Sequence, residues 1–482
     1  MTQTKIHNRT MISGGVLMFL VSIGSSLLAF LSQRIILSTL TKEENGSLFV
    51  ERRLGELVLI ILVDFGMNAV AMRRINVEPH RQKEIVSSLL AYRFLLFVPS
   101  ALLAAGIGWT IGYEVHNVVF WCIAMFLMSR SGLIRYAMEL PDRAQHRFVV
   151  PSLVTLLDGT LYAALVYSYR HELTVSTAIV LMIFAAIPGF VISTITGGRR
   201  SFFMKYVTWS EIQALVKASL PVVASVILLS IHDKIDAFFV EGLAGKLQAG
   251  VFGAAYGTLA PLTQSIPLTM ALTLAPAIAR ASVENIANCR QLAIDGLRFT
   301  FSLSIVISSS LAIVSGVIID VISGGVYRGH ELEFASMMWV CVPVFIQVYL
   351  YEVQIALGAQ RSIVRSNLVL LAVTIVGCVT LIPTFGAQGA IVSKILSVAS
   401  ASVVILRAFH LTVGQAVSLK LAVNAVFVLA ATLGMSFVLP YFVSPVVAAP
   451  IAVVGSITLL MLTRFVTMAD IASIVSLLRN RA

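Results

Sequence analysis

"LLSIHDKIDAFFV", residues 228–240, places His232, Asp233, Lys234 and Asp236 in a run that otherwise reads as apolar helix. On the surface of a soluble protein such a helix would need no explanation. The composition excludes that setting: of 482 residues 58% are hydrophobic and 12% charged, and mean hydropathy is +0.94. A water-soluble chain of this length carries far more charged surface, so the bilayer is the solvent. Near the centre of a span each full charge costs about 2.5–3.5 kcal/mol if it faces lipid, so these groups are expected to look inward. At 100° per residue His232 and Asp236 share a face, as do Asp233 and Asp236, whereas Lys234 points elsewhere and needs a neighbouring helix or water. Two readings stay open: an ion-pair knot between helices, or the lining of an aqueous cavity.

A helix rises about 1.5 Å per residue, so about 20 apolar residues cross the hydrocarbon layer. Fourteen runs qualify, near 11–31, 54–72, 88–111, 117–136, 148–168, 173–196, 216–240, 250–278, 299–320, 334–357, 366–384, 387–407, 420–440 and 445–466. The basic start before the first run suggests a signal peptide, but its apolar stretch is too long for one, and an uncleaved span is expected. With the N-terminus inside, the inner segments and both termini hold 23 of the 34 Lys and Arg, the outer ones 7 and the spans 4. That asymmetry predicts an even number of spans with both termini cytoplasmic. The net charge of +11 then reflects attraction to anionic inner-leaflet lipid. Basic residues spread over many short loops argue against nucleic acid.

No outer loop exceeds about 25 residues, which leaves no room for an external catalytic domain. No catalytic residue and no enzymatic activity are expected. Cys122, Cys289, Cys341 and Cys378 are far apart and form no CxxC, so they read as reduced packing residues. The eight His show no metal-ligand spacing, and neither a metal nor a cofactor is expected. "DFG" at 64–66 resembles a kinase motif but sits in a span without its partners, and Gly106, Gly108 and Gly112 fit close helix packing better than a dinucleotide loop. Pro221, Pro261, Pro267 and Pro276 are candidates for kinks in the seventh and eighth spans. The tail "MADIASIVSLLRNRA" reads as a short amphipathic helix on the inner surface.

Polar stripes recur. Arg53, Glu56 and Asp64 fall within an arc of about 80° in the second span. Thr155, Asp158 and Tyr162 share a face in the fifth, as do Gln347, Tyr351 and Gln354 in the tenth, with Glu352 beside them. Arg34, Arg93, Arg130 and Lys394 complete the cations near or within spans, Arg34 and Arg130 close enough to helix ends to snorkel. "TLTKEENGSLF" and "GLAGKLQAGVF" share a Lys-x-x-x-Gly spacing, Lys42 to Gly46 and Lys246 to Gly250, which hints at two parallel repeats.

Four stretches carry a family resemblance: "SQRIILSTLTKEENGSLF" leading into "LVDFGMNAVAMRR", "SLPVVASVILLSIHDKIDAFFVEGLAGKLQAGVFGAAYGTLAP", "LTLAPAIAR", and "LGAQRSIVRSN" running to "LIPTFGAQGAIVSKI". Pro221, Asp236, Gly250, Ala255 and Tyr256, with Pro383, Gly386, Gly389 and Ala390, are its more specific positions. On these the chain resembles the Wzx-type polysaccharide-biosynthesis (lipid-linked oligosaccharide) flippases of the multidrug/oligosaccharidyl-lipid/polysaccharide (MOP) exporter superfamily. "VERRLGE" departs from the family pattern, with Glu51, Arg52, Arg53 and Glu56 where a bland start of the second span is usual.

The resemblance implies an all-α polytopic membrane protein of MATE-like fold: an N-terminal six-helix bundle over 1–205, a second over 206–410, and two further helices and a cytoplasmic tail over 411–482. It implies an inner-membrane flippase that moves undecaprenyl-pyrophosphate-linked O-antigen or exopolysaccharide units by alternating access. An isolated ionised group faces a steep cost in hydrocarbon, and a wet cationic cavity removes most of it. Arg34, Arg53, Arg93, Arg130, Lys234 and Lys394 are the candidate contacts for pyrophosphate and acidic sugars. Asp64, Asp158, Asp236 and Glu352 are candidates for coupling to H⁺ or Na⁺. Expected partners are the lipid-linked oligosaccharide, membrane lipids and other polysaccharide-assembly proteins. A MATE-like multidrug or cation antiporter is the alternative; a membrane glycan polymerase or ligase would need the large outer loop that is missing.

Overall fold

A computed structural model describes residues 21, 24–25, 27–128, 132–145, 147–198, 202–414 and 418–465. Most of the first expected span and the whole amphipathic tail lie outside the described residues. Those described form helices, with no strand among them.

The helices are α1 Leu27–Thr39, α2 Lys42–Leu59, α3 Met67–Val77, α4 Gln82–Ile111, α5 Val115–Leu127, α6 Ile134–Ala144, α7 Val149–Ser168, α8 Val175–Ser193, α9 Trp209–Ala244, α10 Lys246–Glu284, α11 Ile286–Ser323, α12 Glu331–Met338 and α13 Cys341–Ala356. After these the chain is helical over Arg361–Val413, and α16 Leu419–Val438 and α17 Pro445–Leu462 follow. Nine helical segments among the described residues are long and apolar enough to cross a membrane, ten if bent α9 counts as one span. Many large apolar side chains on them stay exposed, such as Leu102, Trp109, Val403 and Phe427. Outward apolar faces of this extent suit acyl chains and not water. This is a multi-pass membrane protein.

The stretch Arg361–Val413 is a hairpin, α14 over 361–385 and α15 over 387–413. Gly386 breaks it at φ 56°, ψ −132°, a backbone region only glycine enters without strain. Across the hairpin Ser393 Oγ donates to the Thr374 carbonyl at 3.3 Å and Ser366 Oγ to that of Ala401 at 2.8 Å. The Ala387 amide, freed by the turn, donates to Gln248 Oε1 at 2.9 Å. Both spans expected here are thus present as separate helices.

Elsewhere the helices depart from the expected spans. The second is interrupted: a π-helical turn over Ile60–Asp64 leads into Phe65 and Gly66, both at positive φ (48° and 65°). The fourth stops at Leu127, where Met128 turns extended at φ −82°, ψ 138°. At 13 residues α5 is too short to cross the hydrocarbon unaided. What reads as an inner loop is partly the separate helix α6, and α9 bends by 66° between Leu220 and Val223, where the sequence has Pro221.

Two compact units result, Met1–Phe238 and Phe239–Ala482. In the first, α3, α4 and α6 enclose a core of Met67, Ala71, Ile85, Leu89, Ile134 and Met138, joined by Leu215 of α9. In the second, α11 packs on α16 and α17, where Ile313 meets Ala448 and Ala452. The shared Lys-x-x-x-Gly spacing marks equivalent places. Lys42 and Lys246 are each the first residue of a helix, and Gly46 and Gly250 are both buried one turn on. The start of α2 is fixed by a capping box: Glu44 N donates to Thr41 Oγ1 at 3.2 Å, and Thr41 N to Glu44 Oε2 at 2.8 Å.

Candidate functional site

Among the described residues of the first unit, three ionic clusters hold charged residues singled out from the sequence. The one nearest the opening stretch joins α2 to α9. Arg53 and Glu56 lie one turn apart on α2, so both reach the same neighbour. Arg53 Nη1 contacts Glu56 Oε2 at 3.1 Å and Asp233 Oδ2 at 3.4 Å. Lys234 Nζ lies 3.0 Å from Asp233 Oδ2 and 3.8 Å from Glu56 Oε2, and Arg52 Nε donates to Glu56 Oε1 at 2.8 Å. The guanidinium of Arg53 sits 5.0 Å over the Phe49 ring. Glu51, His232 and Asp236 are buried close by in sequence, Asp236 accepting from the Ala237 amide at 2.8 Å. Exposure decides the character of the cluster. The side chains of Arg53 and Lys234 are only 9% and 7% exposed, while Asp233 is 34% and Arg52 52% exposed. It is closed on one side and open on the other.

The second cluster locks the broken helix. Arg93 of α4, wholly buried, donates through Nη2 to Asp64 Oδ1 at 2.7 Å and Asn68 Oδ1 at 2.9 Å, and through Nη1 to the Leu133 carbonyl at 2.5 Å. Asn68 Nδ2 donates to Asp64 Oδ1 and to the Gly132 carbonyl, at 2.8 and 2.7 Å. The π-turn carbonyl of Leu62 accepts from Tyr92 OH at 3.1 Å. Backbone groups set loose by the break are thus satisfied by side chains, as a bilayer requires.

The third centres on Arg135, also wholly buried. It pairs with Asp158 of α7 and reaches Glu139 Oε1 at 3.3 Å and Ser193 Oγ at 3.1 Å. Arg143 Nη2 closes on Glu139 Oε2 at 2.8 Å. Gly189 of α8 faces Asp158 and Arg135 so closely that any β-carbon would collide with them.

In the second unit the polar interior is of another kind. Gln347 Nε2 donates to Tyr351 OH at 3.0 Å, and Tyr351 OH donates to Asn367 Oδ1 at 2.5 Å. Lys394, buried on α15, holds its Nζ 4.8 Å over the Tyr256 ring.

This architecture has solved counterparts. The lipid II flippase MurJ, in an inward closed conformation, superposes with a TM-score of 0.68 at 12% identity, over 93% of this chain and 98% of that one. An inward-facing multidrug resistance MATE family transporter of the MOP superfamily gives 0.62 at 12% identity, over 83% and 98%. A MOP superfamily transporter from Pyrococcus furiosus, reported with a binding pocket of reversed polarity, gives 0.60 at 13%, over 84% and 96%.

The chain has the MATE-like fold.

At these identities the likeness concerns the fold alone. No protein-family profile matches the sequence, and no curated protein does.

Within this MATE-like chain the residues singled out from sequence scatter. Arg53 and Lys234 come together, with Glu56 and Asp233. Arg93 and Asp64 meet in the second cluster and Asp158 enters the third. Arg53, Glu56 and Asp64 do not share one line: the wider π-turn over Ile60–Asp64 shifts Asp64 from the helical register of α2, and it meets Arg93 of α4. Nor do Thr155 and Tyr162 join Asp158: Thr155 Oγ1 bonds the Pro151 carbonyl and Tyr162 OH that of Ala178. Arg34 is exposed on α1, Glu352 is half-buried on α13, and Arg130 lies outside the described residues. Arg135, Glu139 and Arg143 escaped the sequence reading, which assigned them to a span end and a loop. Their i, i+4 spacing on both sides of Glu139 is the signal that finds them.

Proposed function

We propose that the chain is a MOP-type flippase that carries undecaprenyl-pyrophosphate-linked oligosaccharide across the cytoplasmic membrane by alternating access, with both termini in the cytoplasm. One observation carries the reading: the half-open cluster of Arg52, Arg53, Glu56, Asp233 and Lys234 on two span-forming helices. Ionised groups at partial exposure within an apolar helix are best tolerated beside water, which supports reading this as a wet face along which a polar head group travels. Arg53 and Lys234 would meet the pyrophosphate by exchanging Glu56 and Asp233 for phosphate oxygens, so the carboxylates hold the site ready and also set the strength of the competitor. Arg34, Arg93, Arg130 and Lys394 remain further candidate contacts for the charged groups of the cargo. The lipid tails stay in the bilayer, and H⁺ or Na⁺ bound at Asp64, Asp158, Asp236 or Glu352 would bias the cycle. The bundles over 1–205 and 206–410, with the helices of 411–482, are the moving and supporting parts, and other polysaccharide-assembly proteins are its partners.

A second reading has its own support. Glu51, Glu56, Asp233 and Asp236 stand against Arg52, Arg53 and Lys234 in this region, a slight acidic excess that suits a cationic drug in a MATE-like antiporter. Proteoliposomes loaded with a fluorescent undecaprenyl-pyrophosphate oligosaccharide or with a lipophilic cation separate the two. Flipping of the glycolipid, lost in Lys234→Gln, is the expected result; transport of the cation with no movement of the glycolipid would sink the flippase. Gradient-dependence should disappear on amide substitution of at least one of Asp64, Asp158, Asp236 and Glu352, and if all four variants keep it, ion coupling at these residues is abandoned.

A further inference from the structure

Residues 73–84 and 202–209 of the first unit take no part in these clusters, yet they are built with care. Phe203 N donates to Ser87 Oγ at 3.1 Å and Thr208 N to Ser88 Oγ at 3.3 Å, which pins the segment before α9 onto α4. Between this segment and the turn Pro79–Arg81 opens a cavity of about 450 Å³, bordered by His80, Arg81, Lys83, Glu84 and Tyr206.

Its charges sort unevenly. Arg81 holds Glu78 and Glu84 at 2.9 Å each and Glu211 at 2.7 Å, and Arg74 holds Glu211 at 2.5 Å. Glu84 Oε1 also accepts from Thr208 Oγ1 at 3.4 Å. Three carboxylates are thereby occupied by two arginines. Among the described residues no carboxylate lies within ion-pair reach of Arg73, His80, Lys83 or Lys205. The ammonium groups of Lys83 and Lys205 rest 5.5 Å over Phe203 and 5.1 Å over Tyr206. Around them Val77, Met204 and Trp209 are 70%, 74% and 64% exposed. A site for a soluble anion needs no such apolar rim. Exposed Met and Trp flanking cations that have no carboxylate partner among the described residues are what a membrane interface selects, with apolar parts among acyl chains and ammonium groups at head-group level.

We infer that this cavity binds the phosphodiester head group of an anionic membrane phospholipid. His80, Lys83 and the Tyr206 hydroxyl face the phosphate oxygens, Lys205 adds positive potential beside them, and the acyl chains run past Phe203, Met204 and Trp209. The lipid would tie the α3–α4 turn to the segment before α9, independently of what the transporter carries.

Full-length protein in detergent, titrated with brominated phosphatidylglycerol or brominated phosphatidylcholine, tests this. Quenching of Trp209 is read as the difference from Trp209→Phe. The anionic lipid should quench at much lower concentration, its apparent affinity should fall by about fivefold for each of Lys83→Gln and Lys205→Gln, and Lys83→Arg with Lys205→Arg should restore it. Lys420→Gln, a basic position of the second unit, should leave it unchanged, and glycerol phosphate at the same concentration should not displace the lipid. Equal quenching by both lipids, unaltered selectivity in the Gln variants, or an equal loss in Lys420→Gln would overturn the assignment. Displacement by glycerol phosphate would make this a soluble-phosphate site and overturn it as well. The Arg variants and the unfolding midpoint confirm that a loss is not misfolding.

Discussion

The interiors of the two units are polar in different ways. In the first, buried polarity is ionic: Glu51, Arg53, Arg93, Arg135, Glu139, Glu211, Lys234 and Asp236 lie below the surface. In the second, Lys394 is the buried charge among the described residues, and hydroxyls and amides take the place of ions, as with Ser304, Ser308, Ser309, Gln354, Asn367 and Ser393. Hydroxyls on a membrane helix bond the carbonyl of the preceding turn, as Ser302, Thr374 and Ser402 do, so helices approach closely at little desolvation cost. Ion pairs bring no such economy and are weak supports for stability. Their concentration in one unit is the feature the proposed transport of a charged cargo draws on, while packing in the other rests on hydroxyls and amides.

The largest break in this contrast should come from Arg135→Ala, which removes the ion pair to half-buried Asp158 and one of the two to buried Glu139, leaving Glu139 its pair with Arg143. A loss of about 3–5 kcal/mol is expected, read as a lower unfolding midpoint in detergent. Replacing all three by apolar residues of similar volume, Arg135→Met with Glu139→Leu and Asp158→Leu, should recover most of that stability but not transport. Recovery of both would show the triad to be structural filler. In the second unit the largest effect belongs to backbone and not charge. Gly386→Ala drives a β-carbon to 2.7 Å from Gln248 Oε1 at a glycine-only conformation, and should cost about 1–3 kcal/mol by the same assay.

Lys234→Gln sharpens the distinction between open and sealed clusters. Because Asp233 beside it is 34% exposed, stability should change by about 1 kcal/mol or less, while transport falls by tenfold or more. A stability loss as large as that of Arg135→Ala would place this cluster with the sealed ones. Smallest of all, Ser309→Ala removes a 3.1 Å contact to Ser456 and should cost about 0.6 kcal/mol.

Much of the fold was legible in hydropathy because each helix must satisfy its own backbone in lipid, and that forces long apolar runs with short breaks. Even the tight turn at Gly386 showed as "PTFGAQG" between two such runs. Hydropathy failed where ion pairing replaces apolar contact. Helix α6 carries Arg135, Glu139, Asp142 and Arg143 in eleven residues and so averages as a loop, although its charges are neutralised from α7 and within its own turns. The break at Phe65–Gly66 was lost for the opposite reason, since apolar residues on both sides smooth it away. As for the site, the charged residues were identifiable as costly, but which of them meet depends on helix packing that no single stretch encodes. Arg93 and Asp64 were both singled out, yet nothing within either span says they touch.

The interruption between α2 and α3 has a kinetic corollary. One continuous helix opens cooperatively along its length, whereas a π-turn followed by two left-handed residues divides the hydrogen-bond ladder into separate pieces, coupled mainly through the Arg93 strap. Deuterium uptake should accordingly be out of step on the two sides of Phe65, and Arg93→Met should quicken it on the α3 side while leaving the start of α2, held by Thr41 and Glu44, as slow as before.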